Sequence, residues 1–450
     1  MNDRRETLKQ LASMLCVGAL PALASCGGGN QGEPSAAQLE SALSSGRPST
    51  LALPASVGAP HVLVVGGGMG GATLAKYLRM WSDGAIAVTL IDRDATYTAS
   101  MLSSLVLTGQ RALSAGTVSR AALASRYGVK LVTGEVNRID AGSRQVTLAN
   151  GTTLRGDRLV LAPGLQFDRL PGLESDAAFQ ANPHAWVAGP QTTALAAQLR
   201  AMRAGGSFVL TIPPAPYRCP PGPYERASLV ADWLKRNKPG AKVIVLDANP
   251  AIVAERASFT RAFTVTHAGV IEYVPNAVVQ SIDAASKTVH TTLGSFRADV
   301  LNPIAPQRAP KWLADAGLVN VAGRWAGVNV LSYESSAAGA SGVHVIGDAC
   351  GTTQPKSGHI ANQEAKVCAD AIIRALRGAP PDAGPMTSSA CFSTITMSTA
   401  SWLHASFAYD PTTRTMKGVP DSLAEAASDN GDNFQDMYKW FGTIMKDSFA

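Results

Sequence analysis

Short apolar segments, separated by polar or glycine-rich stretches, recur along the chain from residue 61 onwards. Residues 61–65 (HVLVV) and 85–91 (AIAVTLI) are continuous apolar runs, a pattern typical of strands buried on both faces of a parallel sheet. Residues 72–79 (ATLAKYLR), which lie between them, have the composition of a helix. The pattern therefore predicts a strand–helix–strand unit whose two strands are parallel.

A second unit of this kind is predicted around residue 210. Residues 206–212 (GSFVLTI) and 242–246 (KVIVL) predict two more strands, the second ending at Asp247. The first of them is followed by PPAPYRCPPGPYER over residues 213–226. Proline has no N–H and a fixed φ, so this turn cannot cradle a pyrophosphate as glycine amides do. We therefore expect a degenerate domain that does not bind NAD(P)H and that presents Cys219 instead.

The turn after the first strand is, in contrast, rich in glycine. Gly66, Gly68 and Gly71 match the spacing G-x-G-x-x-G directly after that strand, and the predicted helix and second strand follow. Asp92 ends the second strand, 21 residues past Gly71, where a carboxylate can accept the ribose hydroxyls of an adenosine. The arrangement predicts an adenine dinucleotide site without separating FAD from NAD.

Later segments indicate that the dinucleotide is FAD. Residues 157–164 (DRLVLAPG) resemble the strand that closes the first part of an FAD domain. Residues 342–349 (GVHVIGDA) resemble the late motif of flavoproteins with two dinucleotide-binding domains, whose aspartate, here Asp348, binds the ribityl chain. Residues 355–358 (PKSG) precede a predicted helix over 361–376, whose N-terminus would direct positive charge at the flavin pyrimidine. The predicted FAD-binding residues of these motifs are Gly66, Gly68, Gly71, Asp92, Ala162, Gly164, Gly347, Asp348, Lys356, Ser357 and Gly358.

The first 26 residues carry the features of an export signal. They contain a twin-arginine pattern, RRETLK from Arg4, and an apolar stretch over 11–24 that is too short to span a bilayer. The sequence LASCG resembles a bacterial lipobox with Cys26 as the lipidated residue, and cleavage after Ala24 is the alternative. We expect a periplasmic protein, exported by the twin-arginine route and attached to a membrane only through such a lipid anchor.

Composition and charge fit a globular chain of several domains. The 450 residues are 46% apolar and 16% charged, and the net charge of +6 is mild for this length. No basic run with interleaved aromatic residues is present, so we expect no nucleic-acid partner. The expected fold class is α/β, with two Rossmann-like domains and a C-terminal α+β domain. The expected organisation is an export signal (1–26), a flexible linker (27–60), a discontinuous FAD-binding domain (61–172 and 313–382), a degenerate NAD-like domain (173–312) and a C-terminal interface domain (383–450).

Six cysteines constrain the redox chemistry. Cys16 and Cys26 lie in the export signal, and we expect Cys350 and Cys368 to be buried packing thiols. The sequence has no C-x-x-C motif and no ligand spacing among its seven histidines, so neither a metal site nor a c-type haem is expected. Cys219 and Cys391 remain as a disulfide pair compatible with export. From the residues alone, a structural cross-link and a redox role are both open.

Seven stretches of the sequence carry a family resemblance. They are VVGGGMGGA (64–72), PHAW (183–186), RCPPGPYERA (218–227), PQRA (306–309), ESS (334–336), HVIGDAC (344–350) and PKSG (355–358). Together they resemble the flavoprotein subunit of flavocytochrome c sulfide dehydrogenase, within the wider sulfide:quinone oxidoreductase group. The resemblance runs from His61 to the end of the chain, and the run CPPGPYER is its most specific part.

The resemblance implies a sulfide dehydrogenase in which Cys219 and Cys391 form a redox disulfide beside FAD. Sulfide opens the disulfide, and two electrons pass through FAD to a separate c-type cytochrome subunit, which implies a heterodimer. Glu225, next to the cysteine loop, is a candidate for proton handling, with a carboxylate at a helix start as the alternative. Two other functions stay open: a sulfide:quinone oxidoreductase and a non-catalytic flavin-binding lipoprotein.

One position departs from the family pattern. The family carries a cysteine, attached covalently to the flavin, in a tyrosine-rich segment after the second strand. The corresponding segment here is YTASMLS (97–103), and an ungapped alignment places Ser100 at that cysteine. Serine cannot form the thioether, so we predict that FAD is bound near Ser100 without a covalent link.

Overall fold

The computed structural model describes residues 58–450. The predicted export signal, Cys26 and nearly all of the predicted linker lie outside the described residues. Among the described residues, no helix combines the length and the apolarity that a membrane span requires.

The first part of the chain builds most of a parallel sheet. The predicted strand at residue 61 is present, the helix begins at Met69, and the next strand runs from Ala87 to Asp92. The elements in chain order are β1 (His61–Val65), α1 (Met69–Trp81), β2 (Ala87–Asp92), β3 (Thr96–Thr98), α2 (Ser104–Leu107), β4 (Thr117–Ser119), α3 (Ala121–Tyr127), β5 (Lys130–Thr133), β6 (Val136–Asp140), β7 (Gln145–Leu148), β8 (Thr153–Arg155), β9 (Arg158–Leu161) and β10 (Gln166–Phe167).

The middle part builds a second, smaller sheet. Its first strand and the following helix are separated by the proline-rich turn. The elements are α4 (Asp176–Ala181), α5 (Pro190–Ala201), β11 (Ser207–Ile212), α6 (Gly222–Asn237), β12 (Lys242–Asp247), α7 (Arg256–Arg261), β13 (Ile271–Val274), β14 (Val279–Asp283), β15 (Thr288–Thr291), β16 (Gly294–Arg297), β17 (Val300–Pro303) and β18 (Gln307–Arg308).

The last part completes the first sheet and then adds an antiparallel sheet and a long helix. The predicted helix over 361–376 begins three residues earlier, at Gly358. The elements are α8 (Lys311–Asp315), β19 (Val319–Val321), β20 (Trp325–Ala326), β21 (Val328–Asn329), β22 (Glu334–Ser335), β23 (Val343–Val345), α9 (Gly358–Leu376), β24 (Met386–Thr394), β25 (Ala400–Asp410), β26 (Thr415–Gly418), β27 (Ala424–Glu425) and α10 (Gly431–Phe449).

Two parallel sheets form the framework, as the apolar runs predict. The larger has the strand order β21-β22-β23-β9-β1-β2-β5, and the strands from β23 to β5 are parallel. Its central strand β1 has Val64 opposite Leu90 on one side and Val160 on the other. The smaller sheet has the order β13-β12-β11-β17 and is parallel throughout. The α/β fold class with a discontinuous first domain is therefore confirmed.

Helix α10 closes the molecule against the first domain. Its aromatic residues Trp440, Phe441 and Phe449 are buried in the same apolar core as β1, α1 and α9. The ring of Phe449 stacks on Tyr97, with 5.1 Å between the centroids. Lys76 of α1 donates hydrogen bonds to the backbone oxygens of Asp447 and Ala450. The end of the chain is thus fixed beside the helix that follows the glycine turn.

Candidate active site

Two glycines of the turn between β1 and α1 are required by close backbone approaches. A Cβ on Gly71 would lie 1.8 Å from the carbonyl oxygen of Gly66. A Cβ on Gly66, whose φ is +95°, would lie 2.2 Å from the carbonyl oxygen of Ala162. Gly68 is the N-cap residue of α1 and offers no side chain to its first amides. The turn therefore keeps these helix amides open to a phosphate group.

Asp92 lies beside this turn at the end of β2. Its Oδ2 accepts a hydrogen bond of 2.6 Å from the amide of Gly67 and is 3.1 Å from a guanidinium nitrogen of Arg120. The Nε of Arg120 donates to the carbonyl oxygen of Gly67. Arg120 is a buried cation that the sequence analysis missed, because it is 28 residues from Asp92 and belongs to no motif.

The late motif places Asp348 in a short helical turn after β23. Gly347, at φ +76°, donates its amide to a carboxylate oxygen of Glu364 at 2.6 Å. Burial raises the pKa of Glu364 to about 8. This buried acid under the motif was also missed, since only the tertiary packing of α9 brings it there. Asp348, Gly347 and Glu364 line one small cavity together with Lys356 and Ser357.

The PKSG segment connects this cavity to α9. The ammonium group of Lys356 donates to the carbonyl oxygens of Asp348 and Cys350, at 2.8 and 2.6 Å, and lies 3.7 Å from the ring centroid of Trp325. Burial lowers the pKa of Lys356. Ser357 is the N-cap residue of α9, and its Oγ accepts the amide of Ile360 at 3.1 Å. The first turn of α9, starting at Gly358, therefore faces the site with its positive end.

The cysteine loop docks on these flavin motifs. The amide of Cys219 donates to the carbonyl oxygen of Lys356 at 2.8 Å, and a guanidinium nitrogen of Arg218 is 3.5 Å from Oδ2 of Asp348. Cys219 adopts φ +58°, a left-handed conformation that is uncommon for a residue with a side chain. The adjacent ring of Trp186 donates from Nε1 to the carbonyl oxygen of Arg218. The loop is thus fixed on both sides of its thiol.

Cys219 lies close enough to Cys391 to affect the ionisation of the Cys391 thiol. Both are free, half-buried thiols, and α6 packs against β24, which carries Cys391. Burial raises the pKa of Cys219 to about 12, and the nearby Glu225 raises it further. Burial raises the pKa of Cys391 well above its ordinary value, and Cys219 is the next largest cause. Cys219 and Cys391 therefore lie near each other, and the loop of Cys219 contacts Lys356 and Asp348.

Two buried carboxyl groups lie next to the thiols. Glu225, in the first turn of α6, accepts hydrogen bonds from the amide and Oγ1 of Thr394 at 3.3 and 3.0 Å, and burial raises its pKa to about 7. Glu255, which precedes α7, accepts a hydrogen bond of 2.6 Å from Ser393. Burial raises the pKa of Glu255 to about 7 as well. Glu225 is predicted from its place next to the cysteine loop, whereas Glu255 has no motif around it that could predict its role.

Ser100 and the two remaining predicted residues have structural contacts. The Oγ of Ser100 accepts the amide of Ala188 at 3.2 Å, so it holds the segment that contains Trp186. Ala162 donates its amide to the carbonyl oxygen of Val65, and Gly164 adopts φ +72°. Among the described residues, no cluster of histidine, cysteine, aspartate or glutamate could hold a metal ion.

In the second domain, side chains fill the place that corresponds to a ribose site. Asp247 ends β12 as Asp92 ends β2, but it accepts hydrogen bonds from the hydroxyls of Tyr224 and Tyr273 at 2.7 and 2.9 Å. Its other oxygen accepts the amide and the Nδ2 of Asn249. Tyr224 belongs to the CPPGPYER run, so the same run presents Cys219 and donates a hydrogen bond to the carboxylate of Asp247.

The residues of the first domain fit FAD. The glycine turn and the N-terminus of α1 suit a pyrophosphate, and Asp92 lies beside them for a ribose. Asp348 lies in the late motif for the ribityl chain, and the N-terminus of α9 offers positive charge to the flavin ring. Gly66 and Gly71 leave the space that any side chain would fill.

Two family models match parts of this chain. Residues 60–204 match the family model of pyridine nucleotide-disulphide oxidoreductases. Residues 192–305 match the model for the central part of the sulfide dehydrogenase [flavocytochrome c] flavoprotein chain.

Solved structures show the same fold. The sulfide:quinone oxidoreductase of Aquifex aeolicus matches with a TM-score of 0.71 at 18% identity, covering 87% of this chain and 91% of that one. An NAD-dependent persulfide reductase from A. fulgidus matches with a TM-score of 0.59 at 14% identity, covering 86% and 76%. A putidaredoxin reductase in complex with putidaredoxin matches with a TM-score of 0.58 at 17% identity, covering 86% and 94%.

The fold and the site are those of a flavoprotein with two dinucleotide-binding domains, and the residues of its first domain fit FAD. Within that class, residues 192–305 match the central part of the sulfide dehydrogenase [flavocytochrome c] flavoprotein chain, so the chain is an oxidoreductase similar to enzymes that act on sulfide. The resemblance recognised from the seven sequence stretches is thereby confirmed.

Proposed function

We propose that the chain oxidises sulfide through a redox disulfide between Cys219 and Cys391 and reduces a c-type cytochrome. The observation that carries the proposal is the docking of the cysteine loop on the flavin motif. Cys219 is hydrogen-bonded through its amide to Lys356, and its neighbour Arg218 pairs with Asp348. A pair of thiols held on this loop would lie beside the flavin site and could pass its electrons to FAD.

The reaction balances with the disulfide as the first oxidant. The sulfur of HS⁻ attacks one cysteine sulfur, the S–S bond between Cys219 and Cys391 breaks, and one cysteine leaves as a thiolate while the other carries a persulfide. FAD held by the glycine turn, Asp92 and Asp348 would supply the two-electron acceptor for this pair and a one-electron donor for the haem of the partner. The net change is HS⁻ to elemental sulfur or a polysulfide sulfur, one proton and two electrons.

Glu225 is the residue of the cysteine loop that can hold the proton. Its pKa of about 7, raised by burial, lets it exchange a proton near neutral pH. Its hydrogen bonds to Thr394 keep the carboxyl group next to the strand that carries Cys391.

We propose that the protein is periplasmic and is exported by the twin-arginine route, since a disulfide persists in that compartment.

A cytochrome is favoured over a quinone as the acceptor by the position of α10. The aromatic face of α10 is buried against the first domain, so it is not available as a membrane-directed surface. The test is to supply sulfide and either a c-type cytochrome or a short-chain quinone to the purified protein without oxygen. Fast reduction of the cytochrome and slow reduction of the quinone are expected. The reverse order would establish the sulfide:quinone oxidoreductase alternative.

FAD is proposed to be bound without a covalent link, because Ser100 offers a hydroxyl that is already bonded to the amide of Ala188. Acid precipitation should release FAD from the wild-type protein into the supernatant. Flavin colour that stays in the pellet would contradict this part of the proposal. Ser100→Ala serves as a matched variant, since it should release FAD to the same extent.

A further inference from the structure

Glu255 is a buried acid outside every motif of the family resemblance. It lies between β12 and α7, is only 1% exposed, and adopts φ +48°. Its neighbours Ile252 and Phe259 are packed in the core of the second domain. Their burial carries the intervening carboxyl group inwards, towards the thiol pair.

The carboxyl group of Glu255 is directed at the strand that carries Cys391. Its Oε1 accepts the hydroxyl of Ser393 at 2.6 Å. Because side chains alternate along a strand, Ser393 and Cys391 lie on the same face of β24. Within residues 58–450, the buried Oε2 of Glu255 accepts no hydrogen bond of good geometry, although the hydroxyl of Ser401 interacts with the carboxyl group and lowers its pKa. Ser393 and Thr394, which are adjacent on β24, thus hold Glu255 and Glu225 at the same end of that strand.

A line of carboxyl groups leads from the thiols to the surface. Glu225 and the exposed Glu425 of β27 both act on Glu255 electrostatically and raise its pKa, after the larger effect of burial. Glu425 lines a surface pocket of about 670 Å³, which is formed mainly by α7 and includes Arg256, the residue after Glu255. The titratable groups facing Glu255 are therefore Cys219 in the loop before α6, Glu225 in the first turn of α6, Cys391 on β24 and Glu425 on β27.

We propose that Glu255 carries protons between the thiol pair and the surface pocket beside α7. The inference rests on the proposed sulfide chemistry at Cys219 and Cys391. As in the proposed reaction, a bond forms from the sulfur of HS⁻ to one cysteine, the disulfide bond breaks, and the other cysteine leaves as a thiolate. The persulfide keeps the proton of HS⁻ on its outer sulfur. When the two electrons pass on, the disulfide forms again, the outer sulfur is released, and its proton goes to the Glu255 carboxylate.

A first test measures the thiols and needs no turnover. In reduced, FAD-loaded protein, the ionised Glu255 raises the pKa of both cysteines, so Glu255→Gln should lower it. Cys219 is alkylated at pH 9 by iodoacetamide, which is uncharged, and the rate is followed by mass spectrometry. In Glu255→Gln the rate should be up to about tenfold higher, which corresponds to a Cys219 pKa lower by one unit. The exposed Glu272 provides the control, and Glu272→Gln should alkylate as the wild type does. Equal rates in all three proteins would overturn the electrostatic coupling.

A second test follows the bleaching of FAD by sulfide as a function of pH. Because the fraction of sulfide present as HS⁻ also rises with pH near neutrality, the rate is divided by the HS⁻ concentration at each pH. The wild-type rate per HS⁻ should rise with pH through an inflection near 7, where Glu255 becomes the carboxylate that accepts the proton. Glu255→Gln should remove the inflection and slow bleaching by about 10²-fold at pH 7.5. Ser393→Ala keeps the carboxyl group but deletes the hydroxyl that lowers its pKa, so its inflection should move to higher pH.

The outcomes separate this inference from the proposed function. A wild-type protein that sulfide does not bleach would overturn the proposed function itself. Normal bleaching in Glu255→Gln with the wild-type pH profile would overturn only the role of Glu255. Thermal unfolding and FAD content of each variant, measured alongside, identify a variant that fails to fold, in which case Ser393→Ala decides through its inflection.

Discussion

The two parallel sheets place different turns at the same point of the fold. After β1, the turn to α1 is glycine-rich, and its glycines allow backbone contacts that no side chain permits. After β11, the turn to α6 is proline-rich and carries Cys219, which is held on Lys356 of the first domain. The first turn is built to admit a dinucleotide and the second to present a thiol.

The acids at the ends of the second strands show the same contrast. Asp92 lies beside open helix amides, with Arg120 as its cation. Asp247 is covered by the hydroxyls of Tyr224 and Tyr273. One strand–turn–helix framework therefore serves either ligand binding or sulfur chemistry, and the side chains of the turn decide which.

The largest expected effect comes from adding a methyl group to each turn. Gly71→Ala brings Cβ to 1.8 Å from the oxygen of Gly66, so the backbone must move and FAD should be lost completely. Gly222→Ala brings Cβ to 2.8 Å from the sulfur of Cys219 and 2.9 Å from Trp186. It should keep FAD and lose reactivity with sulfide. Flavin absorbance measures the FAD content of both variants, and bleaching by sulfide measures their reactivity. Loss of FAD in Gly222→Ala would contradict the different roles of the two turns.

A smaller effect concerns pH and stability. Burial raises the pKa of Glu225 and Glu255 from 4.5 to about 7, so the folded state disfavours their ionised forms. The two groups therefore contribute most to the free energy of unfolding below pH 4.5. This contribution is lost as the pH rises through 7, by up to about 3 kcal/mol for each group. Relative to the wild type, Glu225→Gln and Glu255→Gln should gain stability above pH 7. Denaturant unfolding at pH 5 and pH 8 measures this, and a gain at pH 5 instead would contradict it.

The smallest effect concerns Asp247, the acid of the second domain whose two oxygens both accept hydrogen bonds from protein side chains. Tyr273→Phe removes one hydrogen bond to Asp247 and should lower the free energy of unfolding by about 1–2 kcal/mol. It should not create an NADH site, because Tyr224 and Asn249 still occupy the acid. Denaturant unfolding and NADH fluorescence check the two statements. Tight NADH binding by the wild type or the variant would show that the second turn is not closed to dinucleotides.

Local patterns made the framework predictable. The apolar runs predicted the individual parallel strands, because each strand is a continuous segment buried on both faces. The glycine spacing is likewise local, since a turn depends on a few adjacent residues, whereas the helix predicted from residue 361 begins three residues earlier.

Contacts over long sequence distances could not be predicted in this way. Arg218 meets Asp348 from 130 residues away, and Glu364 meets Gly347 only because α9 folds back under the motif. Glu255 is buried only by the tertiary packing around it, so no local pattern in the sequence distinguishes it from an acid on the surface. The cysteine count left Cys391 as the partner of Cys219, and the resemblance supplied the redox role, since the residues alone left a structural cross-link open.

The central claim is that sulfide reduces FAD through Cys219 and Cys391. The direct measurement is an anaerobic titration of the FAD-loaded protein with micromolar sulfide, followed by flavin absorbance, for the wild type and Cys391→Ser. The wild type should bleach with about one sulfide for each FAD. Cys391→Ser should keep FAD and bleach more slowly by on the order of 10³-fold or more. Equal bleaching of the two proteins would contradict the disulfide mechanism.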